Sequence, residues 1–126
     1  MNRERALKVV LVLVGLLFTA AIYPLIGSLL HPADSDTGDT MMLSLYVALG
    51  IFLLIAVRNP SANRSLIAFA AWSSFAHAVT MSILGFEIAS QRVGFLIASA
   101  ALVVIGVALI VLAPAKVVER ASAAIR

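Results

Sequence analysis

The sequence predicts an all-α integral membrane protein: four transmembrane helices in one bundle, with the N and C termini cytoplasmic. Three observations predict it. Of 126 residues, 63% are apolar and only 12% charged, against roughly half apolar and a quarter charged in soluble domains. The charged residues sit in short clusters separated by apolar stretches too long for core helices. Finally, Lys and Arg concentrate in alternate clusters along the chain, as they do in loops on the cytoplasmic side of a bilayer.

The first span covers residues 6–30, long enough to cross a hydrocarbon core of ~30 Å at ~1.5 Å per residue even when tilted. Its start imitates a signal peptide, with Arg3, Arg5 and Lys8 ahead of an apolar run and a loose cleavage pattern at Thr19-Ala20-Ala21. The run continues through Ile22, Leu25, Ile26, Leu29 and Leu30, beyond a signal core of ~7–15 residues, so the segment is expected to be retained. Pro24 has no N–H for the carbonyl of Ala20 and is expected to kink the span. A polar, acidic loop follows, holding Asp34, Asp36 and Asp39 but no Lys or Arg.

The second span covers residues 41–57, with Asp39 or Thr40 expected to cap it. A tight basic turn, Arg58-Asn59-Pro60-Ser61-Ala62-Asn63-Arg64, leads to the third span at 65–86, for which Asn63 or Ser65 is the expected cap. A short connection then precedes the fourth span at 93–112, closed by Pro114. Arg3, Arg5, Lys8, Arg58, Arg64, Lys116, Arg120 and Arg126 fall on one predicted side and Arg92 alone on the other. This positive-inside asymmetry requires an even number of spans and puts both termini in the cytoplasm. No linker or repeat marks a second domain, so residues 1–126 are expected to form a single transmembrane domain.

Helices in lipid meet where small residues let backbones approach and polar groups bond across helices. On the third span Ala70, Ser74, Ala78 and Ser82 form one such ridge at i, i+4 spacing, predicting a helix-packing interface, with Ile67 taken as a lipid-facing contrast. Weaker ridges are Gly15, Thr19, Tyr23 and Gly27 on the first span, Ser44, Ala48 and Ala56 on the second, and Gly94 and Ala98 on the fourth.

Beside the third span's packing ridge runs another, Phe69, Ser73, His77, Met81 and Gly85. His77 lies near mid-span, where an ionisable residue is a functional candidate by default. The plainer reading is a neutral imidazole hydrogen-bonded to Ser73 or to a neighbouring helix. Depth along the spans makes Tyr23 the expected partner and Gly50 the expected open space, giving His77, Ser73, Tyr23 and Met81 as candidate ligand-binding residues.

Other chemistry fits poorly. Met41 and Met42 lie at the membrane edge and Met81 shares a helix with His77, so none can complete an axial haem pair. The Asp34–Asp39 stretch has its glycine one place early for an EF-hand and Leu45 where the closing Glu belongs. Asn63-Arg64-Ser65 matches a glycosylation sequon but falls on the cytoplasmic side. No catalytic triad, paired carboxylates, phosphate-cradling glycine loop or metal cluster occurs, and there is no cysteine. The net charge of +3 flanks the spans instead of lining a groove, which argues against nucleic acid.

Met41-Met42, Tyr46-Val47-Ala48-Leu49-Gly50-Ile51-Phe52, Arg58-Asn59-Pro60, Asn63-Arg64-Ser65-Leu66-Ile67 and Trp72-Ser73-Ser74-Phe75-Ala76-His77-Ala78 together resemble a family of small bacterial four-helix membrane proteins of unknown function. The resemblance covers the middle of the chain. It implies a bacterial origin, and hence the cytoplasmic (inner) membrane, but no substrate. A looser likeness, in span count and general pattern, is to DoxX-type four-helix membrane proteins, some of them linked to quinone redox systems. The functional expectation is a non-enzymatic accessory or assembly subunit of a homo-oligomer or larger membrane complex, with no catalytic residue, metal or cofactor. The alternatives are a quinone-like or apolar small-ligand module centred on His77, and an oligomeric channel or proton-linked carrier.

Overall fold

The computed structural model describes residues 2–114, and every regular element among them is helical. In order these are α1 (Arg3–Thr19), α2 (Ile22–Leu30), a short 3-10 turn at Pro32–Asp34, α3 (Thr37–Ala56), a second turn at Pro60–Asn63, α4 (Arg64–Glu87), a third turn at Ala89–Gln91, and α5 (Arg92–Val111). Four segments, Arg3–Leu30, Thr37–Ala56, Pro60–Glu87 and Ala89–Val111, are long and apolar enough to cross a membrane. No more than 28% of the most apolar stretch of any of them is buried. Leu13, Leu17, Phe52, Phe69, Trp72 and Val104 all stand exposed. Soluble monomers rarely show contiguous apolar patches beyond a few hundred Å², so the solvent that suits these faces is hydrocarbon.

The chain divides into two compact units, Lys8–Asn59 and a second that joins Met1–Leu7 to the chain from Pro60 onward. In the first unit the rest of α1, then α2 and α3, form a helical hairpin. The helix breaks between Thr19 and Ile22, ahead of Pro24. Pro24 brings no N–H to the carbonyl of Ala20; the N–H of Tyr23 donates to it at 3.1 Å instead, while that of Leu25 donates to Ala21 at 3.0 Å. The kink expected from Pro24 is thus a full interruption, one residue pair long. Tyr23 and Gly27, which share a sequence ridge with Gly15 and Thr19, lie beyond the break and are exposed, as is every large apolar residue of α2 except the half-buried Leu25.

Before the break, α1 and α3 come together through missing side chains. A Cβ on Gly50 would lie 2.5 Å from the backbone nitrogen of Thr19 and 2.8 Å from the carbonyl oxygen of Gly15. Gly15 in turn faces Leu54 and the carbonyl of Gly50. Gly50 is therefore filled space, which corrects its reading as an opening. The glycine does not face a cavity; it lets two backbones touch. Phe18 and Tyr46 add an edge-to-face ring pair at 4.8 Å. Of the small residues picked on the second span, Ala56 is buried, whereas Ser44 and Ala48 are exposed.

The helix α3 begins at Thr37, earlier than the predicted residue 41, because Asp36 caps it in place of Asp39 or Thr40. Asp36 has extended backbone angles, and its carboxylate accepts the N–H of Asp39 at 3.0 Å. Asp39 lies in the first turn, where a negative charge suits the helix dipole, and the Thr40 hydroxyl donates to the Asp36 carbonyl at 2.8 Å.

The second unit is built on the hairpin of α4 and α5. Arginines close both of its ends. Arg92 folds back so that its Nε donates to the carbonyl of Gly85 at 3.1 Å and its Nη2 to that of Phe86 at 3.0 Å, satisfying the last turn of α4. At the far end Arg3 Nη2 donates to the Ala113 carbonyl at 2.8 Å and Arg64 Nε to the Pro114 carbonyl at 2.9 Å, just past α5. Helix C-termini carry unpaired carbonyls and partial negative charge, and a cation there serves both.

The contact at Gly50 makes a direct prediction. Gly50→Ala must move backbone away from backbone and is expected to lower stability by about 1–3 kcal/mol in detergent unfolding. Gly27→Ala, where no atom lies within 4 Å of the added Cβ, should be neutral or slightly stabilising. Equal effects at the two positions would show that the α1–α3 approach is looser than described.

Candidate functional site

The third span is the least apolar of the four, and its polar and small residues fall on α4 in two adjacent ridges. On the packing ridge Ala70, Ser74 and Ala78 are buried and Ser82 is half-buried. The Ser74 hydroxyl donates to the Ala70 carbonyl one turn back, at 2.7 Å. The helix α5 meets this ridge directly, since the buried Ser99 donates through its hydroxyl to the Ala78 carbonyl at 3.1 Å. Further along, Phe75 lies over Gly106, whose Cβ, if present, would be 2.6 Å from the ring. Trp72 packs edge-on to Phe75 at 5.4 Å. Near the hairpin's connection Gly85 is buried, with room for little more than contact against Phe95.

The neighbouring ridge carries the candidate ligand residues. Ser73, His77 and Met81 are each half-buried at successive turns, between the buried seam and the exposed face that holds Phe69, Trp72 and Ala76. The Ser73 hydroxyl donates to the Ala70 carbonyl at 3.2 Å, which leaves its oxygen able to accept. Tyr23, the expected partner of His77, stands on α2 in the other compact unit and is 86% exposed. Ser73, His77 and Met81 share one helix, α4, at successive turns. Among the described residues no group of three or more His, Asp or Glu side chains is placed to hold a metal ion. A shallow, open depression of about 480 Å³ runs along α5, lined by Val103, Val104, Val107, Ala108, Val111 and Leu112. It is aliphatic throughout and offers no group that could orient a polar ligand.

The buried faces of α4 and α5 differ from those expected at two places. Ile67, the intended lipid-facing contrast, is 1% exposed. It stands one turn before Ala71 and three residues before Ala70, both fully buried, so the buried face of α4 is broader near its start than the Ala70–Ser82 ridge alone. On the fourth span Gly94 is exposed and Ala98 half-buried, while Ser99, Gly106 and Leu109 supply the buried face. The spacing of Ser99 and Gly106, two turns apart, was the available signal, but α5 is rich enough in Ala and Gly to offer several such seams. The three capping arginines were also missed as side-chain partners, because their Lys/Arg count speaks for topology and not for contacts.

The sequence pattern of DUF6632, a family of unknown function, matches residues 3–126. This chain belongs to that family. The match runs from the first residue of α1 through all four spans, so DUF6632 membership covers both hairpins and the α4 ridges together. No curated protein and no solved structure matches the chain.

The α4–α5 seam predicts a graded response. Ser99→Ala should cost about 0.6 kcal/mol, the usual scale for a hydrogen bond between membrane helices. Ala78→Leu should prevent normal packing, while Ala76→Leu on the exposed side should be tolerated. Denaturant titration in micelles reads all three, and a tolerated Ala78→Leu would contradict the seam.

Proposed function

We propose that this DUF6632 chain is a non-enzymatic, multi-pass membrane protein that works by helix–helix association, as an accessory or assembly subunit of a homo-oligomer or larger membrane complex. The observation that carries the reading is how its mid-span polar groups are used. Ser74 and Ser99 are buried and bonded to backbone carbonyls within the α4–α5 pair, and Gly50 and Gly106 mark close approaches. Such features serve packing. The membrane we assign is the bacterial cytoplasmic membrane, following the resemblance drawn from the middle of the chain.

The orientation belongs to the same proposal, with both termini and the Arg58–Arg64 turn in the cytoplasm. The distribution of Lys and Arg supports it. So does the way Arg3, Arg64 and the carbonyls after α5 gather at one end of their unit. Single cysteines at Ser35 and Gln91 should react with an impermeant thiol reagent from outside the cell and one at Ser61 should not. Labelling of Ser61 from outside would overturn the arrangement.

The association itself is tested in the membrane with a photo-crosslinking residue in place of Trp72 or Val104, both exposed on the second unit. The expected outcome is a discrete protein adduct, either a second copy or another subunit. Adducts with lipid alone at both positions would refute the proposal.

A second reading, a quinone-like or apolar ligand held against His77, draws support from the half-buried ridge of Ser73, His77 and Met81. The two separate at His77→Gln, which keeps polarity but loses the titratable nitrogen. Association predicts that the variant assembles and functions; a normally assembled but inactive variant would favour the ligand.

A further inference from the structure

Arg3 and Arg64 both bond carbonyls just past the end of α5. We propose that this end of the second unit is a binding site for the phosphate of an anionic phospholipid.

The two guanidiniums come from distant parts of the sequence and converge on consecutive carbonyls. Arg3 Nη2 bonds the Ala113 oxygen at 2.8 Å and Arg64 Nε the Pro114 oxygen at 2.9 Å. Both cations are thus held at the same end of α5. Each guanidinium has five N–H donors, and its planar fork matches two phosphate oxygens at once. The bonds described to Ala113 and Pro114 take one donor from each. Arg3 is exposed and Arg64 half-buried, leaving the pair accessible while fixing its position.

Depth selects the source of the phosphate. The 20 residues of α5 span about 30 Å, the thickness of the hydrocarbon core. Its two ends therefore reach the two headgroup layers, and the arginines at Ala113 and Pro114 stand at the level of lipid phosphates. This step rests on reading α5 as a membrane span. Charge selects the lipid class. The bonds to Ala113 and Pro114 bring two like charges to one helix end, and such charges are relieved by an anion without a cation of its own. Phosphatidylglycerol or cardiolipin meets that condition, whereas a zwitterionic headgroup brings a competing ammonium. The opposite end differs: there Arg92 places two donors on the carbonyls of Gly85 and Phe86.

The test is native mass spectrometry of the full chain released from bilayer discs containing equal amounts of phosphatidylglycerol and phosphatidylcholine. Wild type is expected to retain phosphatidylglycerol preferentially. Arg3→Gln should reduce that retention roughly fivefold, and Arg3→Gln/Arg64→Gln by roughly fivefold more, the scale of one arginine at an anionic surface. Arg5→Gln and Arg92→Gln should leave it near wild type, which separates a built pair from diffuse charge. Arg3→Gln alters an exposed side chain, so a reading survives if the double variant does not fold. Undiminished retention in Arg3→Gln, or an equal loss in Arg5→Gln, would overturn the proposal. Displacement of the lipid by millimolar inorganic phosphate would overturn the lipid assignment in favour of a free anion. Failure of wild type to enter the discs at all would overturn the membrane reading and this site with it.

Discussion

Lipid tails are as apolar as leucine, so helices in a bilayer gain nothing by hiding leucine from their solvent. What joins them must come from backbones close enough for dense van der Waals contact and from polar groups that have no water to turn to. The chain meets this constraint differently in its two units. Where α1 and α3 meet, Gly50 gives up its side chain against the nitrogen of Thr19 and the carbonyl of Gly15. Where α4 and α5 meet, the same role falls to Ala70, Ala78 and Gly106, and Ser99 adds a hydrogen bond to a carbonyl already inside a helix. Large apolar residues are then free to face outward, as Leu17, Phe52, Trp72 and Val104 do.

The same demand for satisfied backbone groups governs the ends of the helices. A span stops where its last carbonyls leave the hydrocarbon, and those carbonyls need donors that can reach a short way back into the protein. Arginine suits the task because its long stem and several donors can serve carbonyls beside the membrane edge while the charge stays near water. Arg92 does so for α4, and Arg3 and Arg64 for the residues after α5. In the middle of the first span no arginine is available. There the carbonyl freed by Pro24 is met by the N–H of Tyr23 in a tighter turn, and the helix is interrupted instead of capped.

The four long apolar helices were legible in the sequence because length and composition suffice to define them. Their ends were less so, and α3 shows why. Asp36 and Asp39 are both good capping residues, and the choice between them depends on which one has extended backbone, a matter of how the loop after Pro32–Asp34 turns. Faces were harder still. A membrane helix gives no polar-outside pattern to orient it, so Ile67 looks like any lipid-facing isoleucine although it is buried. Likewise Gly94-Ala98 and Ser99-Gly106 compete on α5 with nothing local to choose between them. Gly50 misled for a related reason. Absence of a side chain reads equally as space for a ligand and as room for a neighbouring backbone, and Gly15 and Thr19 in the facing helix decide for the backbone. The Ser73, His77 and Met81 ridge was visible as a spacing, but spacing does not say what a half-buried imidazole is for.

If this chain is the subunit proposed, it should not be found alone. The mass of the assembly released gently from its native membrane tests this most directly. The single chain weighs 13.3 kDa. The account predicts a defined, reproducible species heavier than that, either a whole multiple of the chain or its sum with another protein in fixed ratio. A homogeneous, fully folded 13.3 kDa monomer carrying only lipid, under conditions that preserve other membrane complexes, would contradict it.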